Sequence, residues 1–128
     1  MKLLLDTHAL IWFIGGDEKL SERAKEAFLN RDNMLFFSKV SLWEMTIKVS
    51  LEKLVLAEHW ITKIENEMVS NGIQWLEIEI GHCATLTNLA FHHRDPFDRL
   101  LISQAISESM SIVSIDRNFD HYPVDIIW

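Results

Sequence analysis

Residues 2–6 of the chain read Lys-Leu-Leu-Leu-Asp, three leucines in a row that end at an acidic residue. A short apolar run without alternating polar positions is typical of a strand buried on both faces. Strands of this kind belong to parallel sheets that are covered by helices on both sides. The sequence therefore predicts a buried strand over residues 2–5, with Asp6 at its carboxyl end.

Working outward from this strand, strand-like and helix-like segments alternate along the chain. We predict strands at 34–37, 74–80, 112–115 and 125–127. We predict helices at 7–14, from Ser21 to about Asn30, from Ser38 or Ser41 through Val49, and at 58–70, 81–92 and 96–110. The alternation predicts an α/β fold with three layers, a mainly parallel central sheet between helices. Such sheets carry functional groups beyond the carboxyl ends of their strands.

Length and composition predict one domain spanning residues 1–128, since 128 residues with 48% hydrophobic content are enough for one sizeable core. The single cysteine, Cys83, excludes an internal disulfide and a cysteine-built zinc site, and we expect it in the core. No segment reads as a signal peptide or membrane span, so we expect a cytoplasmic protein without membrane contact. The net charge of −7 argues against unspecific adhesion to nucleic acid, although carboxylates that bind a cation would offset it.

Two aspartates occupy equivalent positions after predicted strands. Asp6 follows the leucine run, and Asp116 follows the residues 112–115. Because parallel strands end at the same edge of a sheet, both acids are expected at that edge. The alternative is that each caps the next helix, since Asp is a favoured N-cap residue. Two such acids together favour a functional site.

Residues 93–102, His-Arg-Asp-Pro-Phe-Asp-Arg-Leu-Leu-Ile, contain two more aspartates. Asp95 precedes Pro96, which is the arrangement of an N-cap followed by the first residue of a helix. Asp98 is in register with Leu101, Ile102 and Ala105, and therefore lies on the apolar face of this helix. A helix-capping role is also available to it. A carboxylate on an apolar face needs a cation, a proton or strong donors.

Glu44 lies in residues 41–48, Ser-Leu-Trp-Glu-Met-Thr-Ile-Lys. By spacing alone, the favoured interpretation is an exposed ion pair with Lys48 one helical turn later. The six histidines lack the spacing of a helical zinc site, and there is no phosphate-binding glycine loop or serine-hydrolase motif. The remaining candidate is a site in which carboxylate oxygens bind a hard cation.

Four stretches, residues 3–12, 41–48, 93–105 and 114–116, together resemble the PIN-domain family, and within it the VapC-type toxins of toxin-antitoxin pairs. The resemblance spans nearly the whole chain. It implies a parallel sheet between helices and an acidic metal site formed by Asp6, Glu44, Asp98 and Asp116, with Asp120 as a rival for the fourth position. It also implies a Mg²⁺- or Mn²⁺-dependent endoribonuclease that acts on RNA, pairs with an antitoxin and forms a homodimer.

Further roles follow from position beside these acids. Thr7 and Ser114 are placed to hydrogen-bond the carboxylates. Three arginines flank the acidic segments and are candidates for RNA phosphate contacts, with surface ion pairs as the alternative: Arg94, Arg99 and Arg117. An antitoxin would be expected to block the site with an inserted Arg or Lys.

Two other functions compete with the ribonuclease. Phosphotransfer at an aspartate also uses acids at strand ends, but Asp6 is followed by Thr7 and His8 without a second Asp two positions on. A non-catalytic binding module of the same fold would keep the acids for structure or for a basic partner. Loss of metal binding would favour that module.

Overall fold

The structure is a computed structural model that describes residues 1–128. Its single sheet contains five strands, β1 Lys2–Leu5, β2 Met34–Ser38, β3 Ile73–Leu76, β4 Ser111–Val113 and β5 Ile126–Ile127. The strand order is β3-β2-β1-β4-β5, and every neighbouring pair is parallel. The predicted parallel sheet is confirmed, and β1 is its central strand.

Six α-helices connect the strands and cover the sheet. They are α1 Thr7–Gly15, α2 Glu22–Leu29, α3 Lys39–Ser50, α4 Trp60–Ser70, α5 Ile80–Thr87 and α6 Pro96–Glu108. A 3-10 helix, Arg117–His121, follows β4. The side chain of Ser38 accepts a hydrogen bond from the Val40 amide at 3.0 Å. Ser38 rather than Ser41 is therefore the N-cap of α3.

The leucines of β1 show how the layers form. Leu3 and Leu5 pack on one face of the sheet against α1, α2 and α4, whereas Leu4 packs on the other face with residues of α6. All three are fully buried. Because alternate residues of a strand point to opposite faces, an uninterrupted apolar run fills both cores at once. The predicted α/β/α arrangement is therefore confirmed.

Three of the predicted boundaries that differ from the structure lie near the site. The strand predicted at 74–80 ends at Leu76. This edge strand pairs only with β2, and Leu76 pairs with Ser38, the last residue of β2. The helix predicted at 81–92 ends at Thr87, where a loop leads to α6. The strand predicted at 112–115 ends at Val113, so Ser114 and Ile115 already lie past the sheet.

Two further observations concern surface and core. Cys83 is exposed, so the expectation that it fills the core was wrong; the buried position in that stretch belongs to the neighbouring His82. No helix is both long enough and apolar enough to cross a membrane.

Candidate active site

A cleft of about 410 Å³ opens at the carboxyl edge of the sheet, beside the central strand. At this point the chain, having built β2 and β3 on one side of β1, crosses to build β4 and β5 on the other. Ligand sites of open parallel sheets form at such a switch in strand order. The cleft is lined by acids from four separate parts of the chain: Asp6, Glu44, Asp95, Asp98 and Asp116.

Asp6 links β1 to α1 and lines the cleft. Its Oδ1 accepts a hydrogen bond from the Thr7 backbone amide at 2.8 Å, and its Oδ2 accepts from the Ser114 hydroxyl at 2.7 Å. Desolvation by burial raises the pKa of Asp6, and these two hydrogen bonds oppose the rise. Asp6 caps α1, as the structural alternative predicted, and also faces the cleft.

Ser114 connects the first and last acids of the site. Its buried hydroxyl donates to Asp6 and accepts from the backbone amide of Asp116 at 3.0 Å. Asp116 in turn accepts from the Asn118 amide at 2.9 Å and begins the 3-10 helix. Ser114 thus contacts the acids through its side chain. Thr7 contacts Asp6 through its backbone amide.

The pKa of Asp98 is raised to about 7 from an ordinary value near 3.8. Desolvation by burial is the largest cause, and repulsion from four other acids follows: Asp95, Asp6, Glu44 and Asp116. Asp95 caps α6 by accepting from the amides of Phe97 and Asp98. This cap explains why a second carboxylate stands so close to Asp98 at the start of α6.

Glu44 reaches the cleft from α3, which begins directly after β2. Burial raises its pKa, and the nearby Lys48 opposes that rise. The Lys48 ammonium lies 3.4 Å from the Glu44 carboxylate, with Glu44 largely shielded and Lys48 more exposed. The predicted ion pair is therefore present, but it lies inside the acidic cleft.

The three predicted arginines occupy different environments. Arg99 is buried, and its guanidinium donates to the backbone carbonyls of Leu89 and Ala90, so it holds the loop before α6 and does not line the cleft. Arg94 is exposed on that loop. Arg117 lies 3.4 Å from Asp120, at the surface. Asp116 lines the cleft, whereas Asp120 does not.

Sequence reasoning missed several residues that the fold brings to the cleft. Lys53 lines it because the loop after α3 turns back, with the amides of Lys53 and Leu54 both donating to the Lys48 carbonyl. This turn requires a left-handed conformation at Glu52, with φ of 57°. Nothing in the sequence marks that turn, since no glycine occupies it. His93, beside Asp98, was also missed, although it stands next to the acidic motif.

The residues present fit a hard divalent cation. Ligand atoms of His93, Asp98 and Asp116 lie within 4.8 Å of one another, and Asp6 lines the same cleft as the two aspartates. Clustered carboxylates with raised pKa values repel each other, and a cation among them would remove that repulsion. Carboxylate oxygens are the donors that Mg²⁺ and Mn²⁺ prefer.

The fold and the site define an α/β domain with an acidic cleft at the switch point of a parallel sheet. A sequence profile described as the PIN domain matches residues 3–125. The chain therefore belongs to the PIN domain family, as its motifs indicated.

Several solved structures have a similar fold. VapBC2 from Rickettsia felis, bound to a DNA fragment from the promoter, is similar with a TM-score of 0.74 and 17% identity, over 98% of this chain and 97% of that chain. DNA-bound VapBC from Salmonella typhimurium is similar with a TM-score of 0.71 and 21% identity, over 98% and 96%. A toxin-antitoxin complex from Klebsiella pneumoniae is similar with a TM-score of 0.60 and 17% identity, over 94% of this chain and 92% of that chain. Among curated proteins, no sequence matches.

Proposed function

We propose that this protein is a Mg²⁺- or Mn²⁺-dependent endoribonuclease and the toxin of a type II toxin-antitoxin pair. The observation that carries the proposal is the convergence of Asp6, Glu44, Asp98 and Asp116 in one cleft, with the pKa of Asp98 raised to about 7. A purely structural set of acids gains nothing from such repulsion, because each carboxylate costs free energy when it is buried among others.

In this proposal Asp6, Asp98 and Asp116 hold the cation, and Ser114 keeps two of these acids in fixed positions. When bound, the metal supplies a Lewis acid for the scissile phosphate and lowers the pKa of a water molecule. Glu44 lines the same cleft from α3, and we assign it to bind a second cation or to orient the attacking water and accept its proton.

RNA binding needs positive charge in a protein of net charge −7. Lys48 and Lys53 line the cleft itself, and we assign them to phosphates near the cleavage point. Arg94 and Arg117, which flank the acidic segments at the surface, are assigned to phosphates farther along the strand. Arg99 is assigned to support of the loop, since its guanidinium already donates to backbone carbonyls.

The partner is proposed to be an antitoxin protein that inserts a basic side chain among the acids, where their mutual repulsion favours it. The VapBC and toxin-antitoxin structures of similar fold support a two-protein system. We expect a cytoplasmic homodimer.

The test is cleavage of a mixed cellular RNA pool by purified protein with Mg²⁺, with Mn²⁺ and with EDTA. We expect wild type to cleave with metal and Asp6→Asn and Asp98→Asn to lose activity. Asp32→Asn is the matched control, because Asp32 is exposed and lies outside the cleft. Circular dichroism would verify that all variants are folded.

If wild type cleaves nothing and binds no divalent cation in calorimetry, the ribonuclease proposal fails. The non-catalytic binding module then becomes the better account of the acidic cleft. Cleavage that persists in EDTA and in both aspartate variants would point to a contaminating nuclease.

A further inference from the structure

The ring of His93 is held from several directions at the edge of the acidic cleft. Its Nδ1 accepts a hydrogen bond from the backbone amide of Asp95 at 3.2 Å. The backbone carbonyl of His93 accepts a hydrogen bond from the guanidinium of buried Arg99 at 3.5 Å. The ring lies beside Phe119, with 6.4 Å between centroids, and only 16% of the side chain is exposed. The ring therefore has a defined orientation.

The other ring nitrogen, Nε2, lies 3.2 Å from Oδ2 of Asp98. An imidazole nitrogen that accepts a hydrogen bond carries no proton, and in the neutral ring the second nitrogen then carries it. The amide of Asp95 thus selects the tautomer with a proton on Nε2. That nitrogen has no lone pair to give to a metal, but it places an N–H group beside the carboxylate.

His82 shows a related arrangement elsewhere in the chain, in which the contact through Nε2 is a hydrogen bond. Its Nδ1 accepts from the Glu79 amide at 3.0 Å, and its Nε2 lies 2.9 Å from Oε1 of Glu108. This contact is the largest cause that lowers the pKa of Glu108. His82 therefore stabilises the charged form of Glu108.

We propose that His93 is a positioning residue that directs Asp98 toward the cation through Nε2–H and is not itself a metal ligand. The inference rests on the proposed metal site and deepens it. The alternative is that His93 joins Asp98 and Asp116 as a ligand, since their ligand atoms cluster within 4.8 Å. The amide of Asp95 at Nδ1 argues against that alternative, because a neutral ring in this tautomer cannot bind through Nε2.

Two substitutions separate the ring nitrogens. In His93→Gln the side-chain amide offers a donor near the position of Nε2, whereas in His93→Asn the shorter side chain replaces only the Nδ1 acceptor. Calorimetric titration with Mn²⁺ should show dissociation constants within about threefold of wild type for His93→Gln and at least about tenfold weaker for His93→Asn. His92→Asn is the matched control and should bind Mn²⁺ as tightly as wild type. His92 is exposed, and its ring accepts no hydrogen bond from a backbone amide.

The tautomer is read from ¹⁵N NMR spectra of the histidine rings, in the metal-free protein and with Mg²⁺. We expect the His93 proton on Nε2 in both states. A proton on Nδ1, loss of the Nε2 proton on adding Mg²⁺, or unchanged Mn²⁺ affinity in a folded His93→Asn would each overturn the proposal.

Failure of the proposed function gives a different result. If wild type binds no divalent cation, the metal site is rejected, and the tautomer of the metal-free protein decides the separate question of the contact with Asp98. A proton on Nε2 would support that contact, and a proton on Nδ1 would exclude it.

Discussion

The hydroxyl of Ser114 donates a 2.7 Å hydrogen bond to Oδ2 of Asp6, although the two residues are 108 positions apart in the chain. The same hydroxyl accepts from the amide of Asp116. One small side chain thereby sets the separation of two acids that arise after different strands.

Ser114→Ala should weaken Mn²⁺ binding about tenfold, because groups that orient metal ligands commonly contribute that much. The free energy of unfolding should fall by about 1–3 kcal/mol, because the substitution removes two hydrogen bonds. Calorimetry and urea unfolding measure the two effects. Ser103→Ala is the control, since Ser103 is equally buried but donates to the Arg99 carbonyl. Equal metal affinities in the two variants would contradict the role assigned to Ser114.

Asp98→Asn should stabilise the metal-free protein at high pH. The pKa of Asp98 is raised in the folded state, so its contribution to stability is present below about pH 4 and is lost as pH rises through about 7. At pH 8 the substitution should raise the free energy of unfolding by about 2 kcal/mol, allowing for partial exposure, and at pH 4 it should have little effect. Thermal unfolding in EDTA tests this, with Asp32→Asn as the control. A pH-independent effect would contradict it.

Divalent cations should stabilise wild type more at pH 8 than at pH 5. Protons compete with the metal for Asp6, Glu44 and Asp98, whose pKa values are all raised. At pH 8, a Mn²⁺ concentration a hundredfold above the dissociation constant at that pH should raise the free energy of unfolding by about 2.7 kcal/mol. The same concentration should raise it less at pH 5. Differential scanning calorimetry at the two pH values measures it. In Asp6→Asn the gain should nearly vanish, and a gain that persists there would place the cation elsewhere.

Lys48→Ala and Lys53→Ala should raise KM for RNA several-fold, since each loses one phosphate contact. Lys48→Ala should also raise the pKa of Glu44 further, because Lys48 opposes its rise. Initial rates at two salt concentrations test the assignment, with a shallower salt dependence expected in both variants. Lys25→Ala, on the exposed side of α2 and outside the cleft, is the control and should behave as wild type.

Arg99→Ala should cost about 2–4 kcal/mol of stability, because buried carbonyls lose a charged donor. Arg94→Ala and Arg117→Ala, both at the surface, should change stability by less than about 0.5 kcal/mol. Chemical unfolding of the three variants separates a structural arginine from the two assigned to RNA. A stable Arg99→Ala with weakened RNA binding would restore the interpretation made from the sequence.

The sequence was sufficient to predict the parallel sheet and the three layers, because the uninterrupted leucines of β1 are buried on both faces of the sheet. It also placed Asp98 correctly on an apolar helical face. The fold itself was needed for Lys53, which reaches the cleft through a left-handed residue without glycine. Arg99 and Arg117 look alike in the sequence, and only the tertiary contacts separate a buried support from a surface ion pair.

The order in which the acids occur along the chain has a consequence for synthesis on the ribosome. Asp6, Glu44 and Asp98 emerge before β4, yet Asp6 is held by a hydroxyl that follows β4. Because β4 pairs directly with β1, the nascent chain cannot align these acids until residues 111–116 have left the exit tunnel and docked. Until that segment has docked, Asp6 lacks the hydroxyl that holds it, and the acidic cleft of the nascent chain is incomplete.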